Sequence, residues 1–256
     1  MTDNNAVLTL DFRVRCYEQD AKTRLRPVEM FNWFQEAAGV QCRARKIAIE
    51  DIIPRGITWI IRRYKIKIDK APVHEQNCRV KTWAQTSRDL ISVRDFVIES
   101  DRGERLVSAT SEWALLAIKE QRPVRLSSAL AEYPQCADRA INENLHPIKM
   151  PDGLRVFKTT DFHIPCHWLD LNRHMNNSAY IAAAYENLFP DITGHHKLKE
   201  IEINYKKQAF YGQVISCRAF EADGGIIYQS IDLKETGETL AVLRSVWEGE
   251  DESSNS

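Results

Sequence analysis

The chain has 256 residues, of which 43% are hydrophobic and 28% are charged, and its formal net charge is −1. These values are typical of a folded globular protein and argue against broad nucleic-acid binding. The longest apolar run near the middle of the chain, Ala179 to Tyr185, is far shorter than the roughly 20 residues that a membrane-spanning helix requires, so no membrane insertion is expected.

Six cysteines are spread along the chain, and no two of them are spaced as a Cys-x-x-Cys pair. Residues 1–5 are polar and lack the apolar segment of a secretory signal. Because disulfide frameworks belong mainly to short secreted proteins, we expect reduced thiols and a cytoplasmic location. The sequence has neither a convincing metal-ligand spacing nor a glycine-rich phosphate loop, so we predict no metal and no cofactor.

The first half predicts a strand, a long helix and four further strands. Apolar residues alternate from Leu8 to Val14, and the helix opens at Pro27, a favoured first helical position. The four strands that follow are Thr58–Ile68, Cys78–Thr86, Leu90–Glu99 and Leu106–Ile118. Four prolines and one glycine then make residues 121–155 a predicted linker.

The second half repeats this order. A strand is predicted from Phe157 to Cys166, and Asn176 or Asn177 can cap a helix over Ser178–Leu188. The strands after it are Glu200–Lys207, Val214–Glu221, Ile226–Lys234 and Thr239–Glu248. The acidic, serine-rich residues 250–256 are predicted to be disordered.

Matching residues support a duplication. Three positions recur with an offset of 150: Asp11, Cys16 and Asp20 match Asp161, Cys166 and Asp170. Two others recur with an offset of 134: Ser111 and Trp113 match Ser245 and Trp247. The order is the same in both halves, so two copies of one domain are fused. One long helix and an antiparallel sheet that can wrap around it make a hotdog unit of the α+β class. We therefore predict a tandem double hotdog, with copies at residues 1–120 and 156–249.

Polar side chains cluster just before the helix of the second copy. Asp170, Asn172 and His174 stand at alternate positions, which in an extended segment point to one side. A helix N-terminus favours negative charge, so this segment is a reasonable place to stabilise an oxyanion while His174 handles a proton. The first copy has Asp20, Lys22 and Arg24 at the equivalent positions and is predicted to be degenerate.

Structural roles are open for two of these residues. Asp170 can be a turn or cap residue without a role in the chemistry, since Asp20 keeps that position in the copy that lacks the histidine. Asn172 can equally be a turn residue. His174 is harder to explain by packing, because its counterpart is Arg24.

The stretch Trp168–Ile181, which reads WLDLNRHMNNSAYI, strongly resembles the second-domain motif of acyl-acyl carrier protein (acyl-ACP) thioesterases. The likeness covers nearly the full chain and identifies it as a bacterial member similar to the plant fatty acyl-ACP thioesterases. It implies hydrolysis of the thioester between a fatty acyl chain and the phosphopantetheine arm of the carrier protein. By resemblance, Asp170, Asn172 and His174 match the catalytic residues of the family, and the first hotdog shapes the acyl pocket.

One position departs from the family pattern. Plant members carry a Glu-Cys pair where this chain has Gln208 and Ala209, so a covalent cysteine route through that position is excluded. Gln208, placed on the strand after the helix and beside Asp170, can orient a water or the thioester carbonyl but cannot take a proton. We predict direct attack by water, with His174 as base, Asn172 as orienting group and Asp170 setting the local charge.

Two other functions stay open: an acyl-CoA thioesterase, because the fold and chemistry serve both leaving groups, and a non-catalytic sensor that binds acyl thioesters. The predicted partner is an acyl carrier protein, which is strongly acidic, and the protein itself is expected to be a monomer or a homodimer. Residues 1–127 carry 23 Lys and Arg against 17 Asp and Glu, a net charge of +6, and the remainder carries 12 against 19. The candidate docking residues are basic side chains of the first half: Arg43, Arg45, Lys46, Arg62, Arg63, Lys65, Lys67 and Lys70.

Overall fold

The computed structural model describes residues 6–87, 89–130 and 135–250. The chain forms two compact units, Met1–Leu145 and His146–Ser256. The predicted disordered tail, residues 250–256, lies outside the described residues except for Glu250. The described chain contains no helix that is both long enough and apolar enough to span a membrane.

The first unit is an antiparallel sheet with one long helix. Its strands are β1 (Leu8–Arg13), β2 (Ile57–Ile68), β3 (Asn77–Ser87), β4 (Ile91–Ser100), β5 (Arg105–Ala117) and β6 (Arg122–Val124). The long helix is α1 (Pro27–Ala44), and two single-turn helices are α2 (Ile49–Ile52) and α3 (Leu126–Ala129). The strand order is β1-β3-β4-β5-β2, and β6 pairs with β5.

The second unit repeats this topology. Its helix is α4 (Asn177–Asn187), and its strands are β7 (Val156–His163), β8 (His196–Tyr205), β9 (Val214–Ala222), β10 (Ile226–Leu233) and β11 (Thr239–Gly249). These strands lie in the order β7-β9-β10-β11-β8 and are all antiparallel. The strand order is therefore the same in both units, and the predicted α+β class with two hotdogs in tandem is confirmed.

The helices begin where the sequence signals predict. α1 starts at Pro27, and Asn176 caps α4, since its Oδ1 accepts the Ser178 N–H at 3.0 Å. One predicted strand end is wrong: β7 stops at His163, and Cys166–Trp168 form a 3₁₀ turn. Proline 165 lacks the N–H that would continue the ladder, which explains this end.

Aromatic side chains fill the space between α1 and its sheet. Phe31 and Phe34 are buried. The Phe31 ring lies 4.7 Å from that of Tyr64, and the Phe34 ring lies 4.8 Å from that of Phe96. Burial of a side chain of this size contributes about 1.5–3 kcal/mol, so this cluster is a main source of stability for the first unit.

Matching hydrogen bonds make the duplication visible at atomic detail. Trp113 Nε1 donates to Ser111 Oγ at 2.8 Å, and Trp247 Nε1 donates to Ser245 Oγ at 2.8 Å. The ladder between β2 and β5 and the ladder between β8 and β11 both shift register beside this tryptophan. Since neither detail is required by a hotdog sheet in general, both support descent from one domain.

Part of the predicted linker packs on the face of the first sheet that points away from α1. Trp83 Nε1 donates to the Asp138 carbonyl at 2.7 Å, and Arg139 Nε lies 3.2 Å from the fully buried carboxylate of Asp95. Glu143 accepts a hydrogen bond from Lys65 Nζ at 2.7 Å and another from Lys67. Linker residues up to Leu145 therefore belong to the first compact unit.

We expect Glu143 to make the stability of this unit sensitive to acid. Hydrogen bonds from Lys65 and Lys67 lower the pKa of the Glu143 carboxyl from 4.5 to about 2. A lowered pKa in the folded state adds stability above the unfolded-state pKa, and this stability is lost as the pH falls from about 4.5 to about 2. Melting temperatures across this window should fall more steeply for the wild type than for Glu143→Gln.

The control for this comparison is Glu120→Gln. Glu120 is exposed in a turn and makes no ion pair among the described residues. Its variant should follow the wild-type melting curve at every pH. Equal slopes for the wild type and Glu143→Gln would contradict a role for Glu143 in holding the linker on the sheet.

Candidate functional site

The segment from Asp170 to His174 is a tight turn. The Asp170 N–H donates to the His174 carbonyl at 2.8 Å, and the Arg173 N–H donates to the Asp170 carbonyl at 3.0 Å. Arg173 adopts a φ of +62°, which reverses the chain. The prediction of an extended segment with three side chains on one side is therefore wrong, because hydrogen bonding within the turn fixes the backbone instead.

The Asp170 carboxylate shapes this turn. Its Oδ1 accepts the Asn172 N–H at 2.8 Å and the His174 N–H at 3.1 Å, an arrangement typical of aspartate in turns. Within the described ranges no cation pairs with this carboxylate. Its contact with His174 runs through the backbone rather than through the imidazole ring. Asp170 therefore fixes where the ring is placed, while its negative charge stays uncompensated.

The first unit contains the same turn with a different outcome. Asp20 Oδ1 accepts the Lys22 N–H and the Arg24 N–H, both at 2.9 Å, and Thr23 has a φ of +61°. Here Asp20 Oδ2 also receives Nε and Nη2 of Arg24 at 2.9 Å each. The guanidinium thus neutralises the carboxylate in the copy that lacks the histidine.

His174 and Asn172 present unoccupied polar groups. The His174 ring is half-buried and packs edge-on against the Phe210 ring, with centroids 5.1 Å apart. A β-bridge joins the backbones of the same two residues. In the described part of the chain, neither imidazole nitrogen of His174 and no side-chain atom of Asn172 makes a hydrogen bond. Both side chains can therefore contact a substrate or a water.

The N-terminus of α4 has fewer free N–H groups for binding an oxyanion than the sequence predicts. The Ser178 N–H is already bound by the Asn176 side chain, and the Ala179 N–H is bound by the Asn176 carbonyl. Two of the N–H groups at this helix end are therefore occupied.

Tyr180 has a positioning role that the sequence analysis did not assign. Its hydroxyl donates to the Lys207 carbonyl at 3.2 Å, which ties α4 to the segment after β8. Burial raises the pKa of the Tyr180 phenol, and the nearby charge of Asp170 raises this pKa further. Tyr180 is therefore a hydrogen-bond donor rather than a base. The signal in the sequence that could have identified Tyr180 is its place inside the Trp168–Ile181 motif.

Gln208 is not on a strand. β8 ends at Tyr205, because the N–H groups of Lys206 and Lys207 both turn to the Leu240 carbonyl, at 2.8 and 3.1 Å. Gln208 is also exposed, and the expectation that it lies on the strand after the helix is wrong.

The chain reaches the turn immediately after Gln208. The Met175 N–H donates to the Ala209 carbonyl at 2.8 Å, directly beside His174. Gln208 therefore precedes the residue that bonds to Met175, while Gln208 itself is exposed to solvent.

The two buried cysteines and the metal-ligating residues of the described chain offer no alternative site. All six cysteines are free thiols, and burial raises the pKa of Cys78 to about 11 and that of Cys217 to about 12. These two thiols stay protonated and are poor nucleophiles. Across residues 6–87, 89–130 and 135–250, no three His, Cys, Asp or Glu side chains are grouped so that they could hold a metal ion.

Comparison with protein families decides the relationship. The acyl-ACP thioesterase N-terminal domain matches residues 5–133, and the acyl-ACP thioesterase C-terminal domain matches residues 153–249. The chain belongs to the acyl-ACP thioesterase family.

Relatives within the acyl-ACP thioesterase family are distant in sequence. The chloroplastic palmitoyl-acyl carrier protein thioesterase of Gossypium hirsutum is 25% identical over 228 residues, which are 81% of this chain and 53% of that protein. The chain therefore spans about half the length of this curated relative.

Two solved structures share the fold. The 12:0-ACP thioesterase from Umbellularia californica has a TM-score of 0.84 at 18% identity, over 96% of this chain and 98% of its own. An acyl-ACP thioesterase from Bacteroides thetaiotaomicron has a TM-score of 0.80 at 20% identity, over 97% of this chain and 100% of its own. The likeness of both thioesterases extends through both units.

Substitution of Asp170 separates the shape of the turn from its charge. Asp170→Ala removes the acceptor of two backbone N–H groups and should lower the free energy of unfolding by about 0.5–2 kcal/mol, as for a lost helix cap. Asp170→Asn keeps an oxygen acceptor and should be nearly neutral. Urea denaturation measures both values.

The matched substitution in the first unit should behave differently. Asp20→Asn keeps the turn but loses the half-buried ion pair with Arg24, so it should destabilise the protein more than Asp170→Asn does. Equal stability of the Asp170→Ala variant and the wild type would contradict the assignment of the carboxylate to the turn.

Proposed function

We propose that the protein hydrolyses fatty acyl-ACP thioesters and releases free fatty acid and holo carrier protein. Family membership supports this class of reaction. The observation that carries the proposal is an imidazole and an amide without hydrogen-bond partners among the described residues, His174 and Asn172, on a turn fixed by Asp170. The equivalent turn of the other unit has a neutralising arginine instead.

His174 is the proposed general base. An imidazole can accept a proton from water near neutral pH, and the water oxygen then attacks the thioester carbonyl carbon. When the tetrahedral intermediate collapses, the carbon–sulfur bond breaks and the pantetheine thiolate leaves. The imidazolium returns its proton to this thiolate, so the enzyme ends in its starting state.

The other two residues support this step in different ways. Asn172 can donate its amide to the substrate or accept from the water, and thereby orients one of them. Asp170 places the ring through the backbone of the turn and supplies the local negative charge of the site, and it makes no hydrogen bond to the ring. Gln208 is exposed and has at most an orienting role in this scheme.

The first unit is proposed to shape the acyl pocket, and the partner is proposed to be an acyl carrier protein. Several basic residues of this unit are less available for docking than the sequence predicts. Lys65 and Lys67 both bind Glu143, and Arg63 pairs with Glu112 at 2.6 Å. Lys46 and Lys70 are exposed and form no ion pair in the described chain.

Removal of the imidazole tests the mechanism. His174→Ala should lower kcat for a fatty acyl-ACP by about 10²–10⁴-fold, the usual size of a general acid–base contribution, with little change in melting temperature. Arg24→Ala, at the same position of the other turn, is the matched variant and should retain kcat. Equal losses in both variants would rule out a single active turn. Parallel assays with acyl-CoA decide between the two thioester classes.

Introducing the carboxylate of the plant enzymes tests Gln208. Because the side chain is exposed, Gln208→Glu should leave the melting temperature within the error of measurement. Turnover should change by less than tenfold, which corresponds to a change of less than about 1.4 kcal/mol in the activation free energy. A new acidic limb in the pH–rate profile with a larger gain would instead show that a carboxylate there activates water.

A further inference from the structure

Large apolar side chains are exposed beside the candidate site. Leu171, Phe210 and Tyr211 are 87%, 46% and 67% exposed, and we call them the aromatic lip. They lie on two adjacent turns, one from Asp170 to His174 and one at residues 210–213, which the bridge between His174 and Phe210 holds together. Exposed apolar groups that are clustered in this way mark interaction surfaces.

The other unit has the same two turns without the lip. The Val73 N–H donates to Gln76 Oε1 at 3.0 Å, just as the Phe210 N–H donates to Gln213 Oε1 at 2.8 Å. At the three lip positions the first unit has Ala21, Val73 and His74. Of these three, Val73 is also apolar and 42% exposed, so the first unit keeps one exposed apolar residue here. The turns therefore do not require a leucine or aromatic side chain, and at these positions such side chains occur in the copy that contains His174.

Exposed cations stand in the same two chain segments as the lip. Arg173 and Lys206 are exposed and form no ion pair in the described part of the chain, while Lys207 pairs with Glu238. Asp170 is the sole acidic residue within segments 170–174 and 206–213. These cations lie in residues 128–256, which carry 12 Lys and Arg in all against 19 Asp and Glu.

We propose that the aromatic lip, with Arg173 and Lys206, is the surface on which an acidic acyl carrier protein docks. The inference rests on the proposed function and moves the docking surface from the basic first half to the second unit. Aromatic and arginine side chains are enriched at protein interfaces, and surface cations speed the encounter with an acidic partner. A carrier protein held here presents its acyl-pantetheine arm beside His174.

The test compares one acyl group on two carriers: acyl carrier protein and free pantetheine. Lys206→Glu should lower kcat/KM for the carrier-protein substrate by about tenfold or more and leave acyl-pantetheine hydrolysis unchanged. Leu171→Ala/Tyr211→His, which installs the residues of the first unit, should have the same selectivity. The wild-type preference for the carrier-protein substrate should also shrink as salt is raised.

The matched control is Lys46→Glu/Lys70→Glu, which reverses two exposed cations of the first unit. This variant should behave as the wild type on both substrates. A carrier-specific loss in the control instead of in the lip variants overturns the proposal. So does an equal loss on both substrates, or no loss in either lip variant.

A direct binding measurement distinguishes a docking role of the lip from a role in hydrolysis. With His174→Ala as the parent, so that turnover is slow, the Kd for acyl carrier protein loaded with a fatty acyl group, measured by calorimetry, should rise about tenfold or more when the lip substitutions are added. If the wild type hydrolyses neither substrate, the proposed function fails, but this measurement still decides the docking surface. Dissociation of a wild-type dimer by Leu171→Ala/Tyr211→His, with carrier binding intact, would assign the lip to a second copy of the chain.

Discussion

A single carboxylate oxygen that accepts two backbone N–H groups holds the turn on which the rest of the candidate site depends. The turn needs a residue with positive φ, and Arg173 occupies that position although it is not glycine. A left-handed backbone costs such a residue on the order of 1–2 kcal/mol. The hydrogen bonds to Asp170 Oδ1 offset this cost, so the turn persists and places the Asn172 amide and the His174 ring.

Duplication explains how the same turn can have two fates. In the first unit Arg24 pairs with the carboxylate and makes the turn a local ion-pair structure. In the second unit the corresponding side chain is an imidazole that leaves the charge unpaired within the described chain. The same backbone geometry thus occurs in both copies, and the side chain at the His174 position decides whether the carboxylate is paired.

Much of the fold was predictable because its signals are local. Pro27 and Asn176 mark helix starts through φ restriction and capping, and strand alternation reports which face is buried. A turn at Asp170 was an open alternative to the extended segment, and alternate spacing in sequence could not decide between them. Spacing does not reveal that a side-chain oxygen will bind the backbone two and four residues ahead. The exposure of Gln208 was not predicted. It follows from the end of β8, where the N–H groups of Lys206 and Lys207 both donate to the Leu240 carbonyl.

The linker contacts have a consequence for how the duplicated chain can be divided. Arg139 reaches the buried Asp95, and Glu143 gathers Lys65 and Lys67 on the same sheet face. A fragment that ends at residue 120 would leave the buried Asp95 carboxylate without its cation, and Lys65 and Lys67 without Glu143. Loss of one partner of a buried ion pair lowers the free energy of unfolding by about 3–5 kcal/mol. The segment after residue 120 is therefore part of the first unit, and a first unit produced alone has to extend to Leu145 to keep these partners.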